Sequence, residues 1–303
     1  MKSSRRVFIG GTGAALAITT ARLPLSANAM SQPSVMMARP IPATGEMLPV
    51  VGLGNSPAFR NNDLELAKAL LNVLLQKGGS FVDTGGAAQR PIGLYMNEHG
   101  VHERLFLGTN MAAGDKHAGL QYIKQAQGIQ GKEPLDLLQV HRLEGLKKQW
   151  KNLREWKDAG LARYIGVATT RREAYPDLEA LMKTGTMDFL QINYSLLETA
   201  SAERLLPVAR DMGVAIVTNR PFVNGKYFPL VKDRELPEWA AEFDCQSWAQ
   251  FSLKFILAHP AVNCVLTETT KPRHAHDNLS AGFGRLPNAD MQKRMLELVR
   301  EWS

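Results

Sequence analysis

Two apolar runs in this 303-residue sequence end on side chains that move protons: SFVDT closes around Asp83 and LLQVH closes on His141. Carboxylates and imidazoles are the usual general acids and bases, and each of these follows a stretch that is otherwise fit only for burial. Six further runs of the same kind end on Asn55, Asn110, Ala168 with Thr169, Gln191 with Asn193, Asn219 with Arg220, and Thr267 with Glu268. A polar residue is the natural stop of any buried strand, so one such end means little. An Asp, a His, a Gln, several Asn and an Arg gathered on one face describe a mouth for a small polar ligand.

The elements that would gather them alternate regularly. VVGLG, SFVDT, LFLGT, LDLLQV, ARYIGV, DFLQIN, VAIVT and NCVLT read as strands, and each is followed by a stretch with helical spacing, from LELAKALLNVLLQKG to KPRHAHDNLSAG. Strands apolar throughout are buried on both faces, which is the mark of parallel pairing under helices. Eight such units predict an α/β fold, a closed (β/α)8 TIM barrel, whose strand C-termini carry the chemistry. ARPIPATGEMLPVVGLG reads as an N-terminal β-hairpin turning at Gly45, and LPNADMQKRMLELVREW as a C-terminal helix capped by Asn288. Residues 222–246, the longest stretch without clear periodicity, follow the seventh strand and are expected to overhang the mouth as a functional loop.

Residues 1–29 stand apart from this pattern. Arg5 and Arg6 precede the apolar run GGTGAALAITTA and then Ala27-Asn28-Ala29, the order of a twin-arginine export signal with its cleavage site. The run is shorter than the ~20 residues of a membrane span, so no stable membrane anchor is expected after cleavage. A periplasmic protein of residues 30–303 is. The formal charge of the whole chain is +7; the signal holds Lys2, Arg5, Arg6 and Arg22 and no acid, so the remaining 274 residues carry +3. Their Lys and Arg are interleaved with acids, as in LKKQWKNLREWKDAG, and form no basic stripe, which argues against nucleic acid as a partner. A monomer with a small-molecule ligand is expected. No Cys and His spacing suits a metal. Cys264, inside AVNCVL, reads as a packed strand residue and Cys245 as a loop residue; an oxidising compartment permits a disulfide between them, but simple packing is the favoured reading.

IPATGEMLPVVGLG, FVDT, LDLLQVHR, LREWKDAGLARYIGV, DFLQINYSL, GVAIVTNRPF and KPRHAHDNLSAG stand in the order and spacing of the aldo-keto reductase family, which the chain resembles over nearly all of residues 30–303. The resemblance implies an NADPH-dependent carbonyl reductase with a tetrad of Asp, Tyr, Lys and His. Asp83 takes the Asp position and His141 the His position; Ala88 falls at the tyrosine and Asn110 at the lysine. In the family the tyrosine gives its proton to the carbonyl oxygen as hydride arrives, and the lysine stabilises the phenolate left behind. Alanine donates nothing and Asn110 supplies only a dipole. Toward the cofactor, the resemblance gives Thr169 beside Ala168, Gln191, and Asn219 with Arg220 around the nicotinamide. Lys271, Arg273 and His274 would face a 2′-phosphate and Asn278 the adenine.

These residues imply an oxidoreductase scaffold with a degenerate tetrad, ordinary carbonyl reduction lost or weak, and NADPH or another small polar ligand at the mouth. Two alternatives stay open: an active oxidoreductase with His141 as proton donor, and an interaction protein docking through residues 222–246 with Phe228, Trp239 and Phe243. Tyr95, inside the second predicted helix, reads as a packing residue rather than a substitute acid. Without its lysine, Asp83 needs another partner in a partly dry mouth: ordered water, the Asn110 amide or Arg90.

Overall fold

A computed structural model describes residues 35–112, 115–141 and 143–302; the Arg5-Arg6 segment and its cleavage site lie outside them. A hairpin of β1 (Ala38–Pro40) and β2 (Met47–Pro49) precedes eight parallel strands. These are β3 (Val51–Leu53), β4 (Phe81–Gly85), β5 (Phe106–Met111), β6 (Leu135–Val140), β7 (Ala162–Ala168), β8 (Phe189–Asn193), β9 (Ala215–Asn219) and β10 (Val262–Thr267). They close into a barrel with β10 beside β3, in the predicted order. The helices in chain order are α1 (Pro57–Arg60), α2 (Leu64–Gln76), α3 (Gln89–His99), α4 (Lys116–Gln130), α5 (Leu146–Asp158), α6 (Tyr175–Met182), α7 (Ala200–Asp211), α8 (Tyr227–Val231), α9 (Trp248–Leu257), α10 (Pro272–Ser280) and α11 (Ala289–Arg300).

Period-2 alternation along each strand divides the core in two. Outward residues such as Val82, Leu107, Leu138 and Ile165 meet the helices; inward ones form a separate cluster on the axis, including Phe81, Phe106, Tyr164 and Phe189. Phe81 meets Phe106 edge-on at 5.2 Å between centroids, and Tyr164 meets Phe189 at 5.4 Å. Such pairs add ~0.5–1.5 kcal/mol beyond the area they bury. The rings need room, and Gly108 provides it: a Cβ there would lie 2.7 Å from Cε2 of Phe81.

The hairpin seals this cluster from below with Ile41 and Leu48, both buried. It turns at Gly45, whose φ of +79° is a glycine conformation, and the Gly45 N–H donates to the Ile41 carbonyl at 2.8 Å. The Asn263 amide donates to the Pro40 carbonyl at 2.9 Å, latching the hairpin to β10. The Asn288 side chain caps α11 by accepting from the Met291 N–H at 2.9 Å, as its position predicts.

Two expectations change. Residues 222–246 are not without regular structure: they contain α8 and a 3₁₀ turn over Glu238–Phe243, pieces too short to show a period. Trp239 and Phe243 do not form a docking face. Phe243 is fully buried and Trp239 packs against Phe243 and Phe251 with the Arg294 guanidinium over its ring, because both lie on the inner side of that turn; only Phe228 stays exposed, at 41%. Tyr95 is a packing residue, buried with its hydroxyl donating to Asn72 and its ring stacked on His99. Both cysteines are buried and free. No described helix is long and apolar enough to cross a membrane, and the described residues hold no His, Cys, Asp and Glu cluster suited to a metal.

Candidate functional site

Each inward-facing track that starts with a bulky residue ends, one or two alternations higher, with a small or polar one. Phe81 leads to Asp83, Phe106 through Gly108 to Asn110, Leu137 to Gln139, and Phe189 to Gln191. At this level the four polar side chains bond in a circuit. The Asn110 amide donates to Asp83 Oδ1 at 2.6 Å and the Gln191 amide to Asp83 Oδ2 at 3.2 Å. Gln139 Nε2 closes the circuit by donating to Gln191 Oε1 at 3.0 Å and to Asn110 Oδ1 at 3.3 Å.

Asp83 is therefore held by two neutral amides, the Asn110 amide among the expected partners. Arg90 instead bonds Asn62 at 2.9 Å, and among the described residues no cation pairs with Asp83. Burial pushes its carboxyl up to about 7, against the downward pull of Gln191 and Asn110 and with a further upward push from the charge of Glu268. Ala88, where the resemblance expects a tyrosine, is fully buried in the turn that follows β4.

Above Asp83 opens a cavity of about 920 Å³. Of the residues expected to bind a cofactor, Gln191, Asn219, Arg220, Lys271 and His274 line it, together with Asp83. Thr169 and Asn278 are buried behind the lining, and Arg273 is exposed beyond the rim. The Thr169 hydroxyl is engaged locally, accepting from the Arg171 N–H at 3.1 Å. His141, one residue past the end of β6, is exposed and does not line the cavity; its backbone N–H reaches the Met111 carbonyl at 3.4 Å. The structure thus brings Asp83 together with Asn110 and Gln191 but not with His141.

The remaining walls combine Glu268 and the loop expected to overhang the mouth with Arg60, which sequence spacing did not single out for a site. Arg60 at the end of α1 pairs with Glu268 at 3.6 Å, and Phe222 and Phe228 stand on the loop that overhangs the mouth. In that loop Arg220, Val223 and Asn224 all have left-handed φ, from 48° to 53°. For a β-branched valine this is a strained conformation, and it turns the chain back across the opening. Several polar atoms of this region are buried without a partner: Gln139 Oε1, Asn193 Oδ1, Asn219 Oδ1 and Arg220 Nε. Buried polar groups are rarely left so, and the two on the cavity wall, Asn219 Oδ1 and Arg220 Nε, are positions a ligand would satisfy.

Tyr122 was also missed. It lies on α4, twelve residues past Asn110, where helical spacing marks it only as half-buried. Its hydroxyl donates to the Asn110 carbonyl at 2.6 Å and accepts from the Gln89 amide at 2.7 Å. Burial raises its pKa, so it is a neutral prop behind the Asp83 circuit. Gln139 had a readable signal: it is the one amide in LDLLQV and shares the inward parity of Leu137.

Comparison with known proteins agrees with this architecture. The model of the Aldo/keto reductase family matches residues 50–295. The NADH-specific methylglyoxal reductase of Escherichia coli strain K12 is 25% identical over 175 residues, 48% of this chain and 52% of that protein, so the match spans about half the length of this curated relative. Among solved structures, an aldo-keto reductase of Klebsiella pneumoniae in complex with NADPH superposes with a TM-score of 0.73 at 17% identity, covering 87% of this chain and 96% of that one. The holo form of a Bacillus halodurans aldo-keto reductase gives 0.69 at 18% identity with the same coverage. At such identities the structures speak for the fold. Since the family model runs from the first barrel strand into the last helix, across every element that shapes the cavity, the chain belongs to the aldo/keto reductase family.

Proposed function

We propose that this protein is an exported NADP-dependent oxidoreductase scaffold in which proton delivery by tyrosine and lysine is absent, so that ordinary carbonyl reduction is lost or weak while the mouth still takes a dinucleotide. One observation carries the reading: Asp83 is bonded by neutral Asn110 and Gln191 where a cation is needed, beside a buried Ala88. Loss of a positioned general acid costs ~10²–10⁴ in rate. The Arg5-Arg6 signal supports a periplasmic destination.

The residues present fit NADPH. Arg220 and Lys271 on the cavity wall suit phosphate oxygens, and the orphaned acceptor of Asn219, on the same wall, suits an N–H group of a carboxamide. The Gln191 side chain is less free than its position suggests, because both of its polar atoms are spent in the Asp83 circuit. When bound, the reduced dinucleotide supplies hydride. The protein's own part is to orient it on Asn219, Arg220 and Lys271 and to cover it with the Phe222–Phe228 turn.

Purified protein titrated with NADPH is expected to show saturable binding, with turnover of reactive aldehydes and quinones at least ~10²-fold below ordinary enzyme rates. Ala88→Tyr combined with Asn110→Lys is expected to raise that turnover strongly. Tight binding accompanied by turnover of 1–10³ s⁻¹, the usual enzyme range, overturns the reading.

A further inference from the structure

With Ala88 at the tyrosine position, a buried acid remains at the floor of the cavity. Asp83 lines that cavity while staying only 7% exposed. Each carboxylate oxygen accepts one side-chain amide hydrogen and the Thr84 backbone N–H adds a third bond, so one of the four lone pairs stays free. The amides hold the group from the Asn110 and Gln191 sides, which leaves the cavity side for a proton. The other proton carriers are placed less well. His141 does not line the cavity, and the Tyr122 hydroxyl spends its proton on the Asn110 carbonyl.

We propose that Asp83 itself gives the proton to a carbonyl oxygen bound at the cavity floor, so that the reduction this protein retains runs through a carboxylic acid. The proposal rests on the dinucleotide reading for its hydride source, a reduced nicotinamide. As hydride adds to the carbonyl carbon and the C=O π pair moves to oxygen, the Asp83 O–H bond breaks and its proton bonds that oxygen. The products are an alcohol, an oxidised nicotinamide and the Asp83 carboxylate, which recovers a proton from water. Carbonyl compounds that accept hydride readily, quinones and α-dicarbonyls, fit a weaker donor of this kind best.

The charged and titratable groups around Asp83 agree with an acid that works near neutrality. Glu268 beyond β10 faces it as a second carboxylate and opposes its ionisation; Tyr122 on α4 is neutral. Arg60 on α1 is paired with Glu268 rather than with Asp83. Arg220, Lys271 and His274 line the same cavity from the loop after β9 and the start of α10. A neutral carboxylic acid that donates a hydrogen bond to a substrate oxygen is an established device of other enzymes whose apolar sites keep it protonated.

The test uses the full protein and 9,10-phenanthrenequinone. Infrared spectra of the ligand-free protein are expected to show a protonated-carboxyl band at pH 5.5 that disappears at pH 8.5 and is absent from Asp83→Asn. Adding the quinone without dinucleotide is expected to move that band to lower frequency, because the carboxyl then bonds the quinone oxygen. With NADPH, turnover is expected to fall about tenfold per pH unit above the carboxyl's midpoint. Asp83→Asn should lose at least ~10² in kcat with NADPH affinity unchanged. Asn110→Lys alone returns a cation to the carboxylate, so it should abolish the pH 5.5 band and lower turnover, opposite to its effect when paired with Ala88→Tyr. A band that the quinone does not move, or turnover that survives Asp83→Asn, overturns the proposal. Failure of NADPH to bind overturns the dinucleotide reading alone, and the quinone-induced band shift still decides the role of Asp83.

Discussion

Asp83 has a consequence for stability as well as for chemistry. A carboxyl raised from 3.8 to about 7 on folding means that, between those values, the folded protein keeps a proton the unfolded chain has shed. Stability therefore falls as pH rises through that window, by roughly 4 kcal/mol if the whole effect is realised. Melting temperature is expected to drop several degrees more between pH 5 and pH 8 in the wild type than in Asp83→Asn, at roughly 2 °C per kcal/mol for a chain of this size; equal slopes in the two proteins would disprove the linkage. Asp83 and Asn110 were legible as a pair because both end apolar runs whose neighbours fix their positions. The circuit through Gln139 was not, because amide pairing depends on how far each strand is staggered along the barrel axis. His141 shares the inward parity of Gln139 but lies past the last strand residue, where alternation no longer controls direction.

The helices hold that circuit by close packing. On α3, a Cβ at Gly93 would lie 2.0 Å from the Ile129 carbonyl oxygen of α4, a backbone atom that cannot swing aside. The same two helices carry Gln89 and Tyr122, whose bond braces Asn110. Gly93→Ala is expected to cost about 1–3 kcal/mol, as overpacking does, whereas Gly128→Ala on the exposed face of α4, with nothing within 4 Å, should stabilise by up to ~1 kcal/mol. Chemical denaturation of the two variants side by side reads the difference, and equal effects would refute the close-approach account. Most element identities were readable from period alone, since the strand runs are apolar throughout. Elements α1 and α8 were not, having four and five residues, and they carry Arg60 and Phe228. The mouth's outer wall is thus the part of the site that composition hides best.

For the whole molecule, the architecture is compatible with the proposed export: a barrel with both thiols buried and free has no crosslink to form after transit, which suits a route that carries folded proteins. Cell fractionation is expected to find the unaltered chain in the periplasm and a variant with Arg5 and Arg6 both replaced by lysine uncleaved in the cytoplasm; periplasmic recovery of the double variant would refute the twin-arginine assignment. The packed rings of Phe81, Phe106, Tyr164 and Phe189, stoppered from below by Ile41 and Leu48, make the barrel a blind well. Guests enter and leave by one opening, so the first in is the last out. A compound that occupies only the rim would then not compete with a guest on the floor but imprison it.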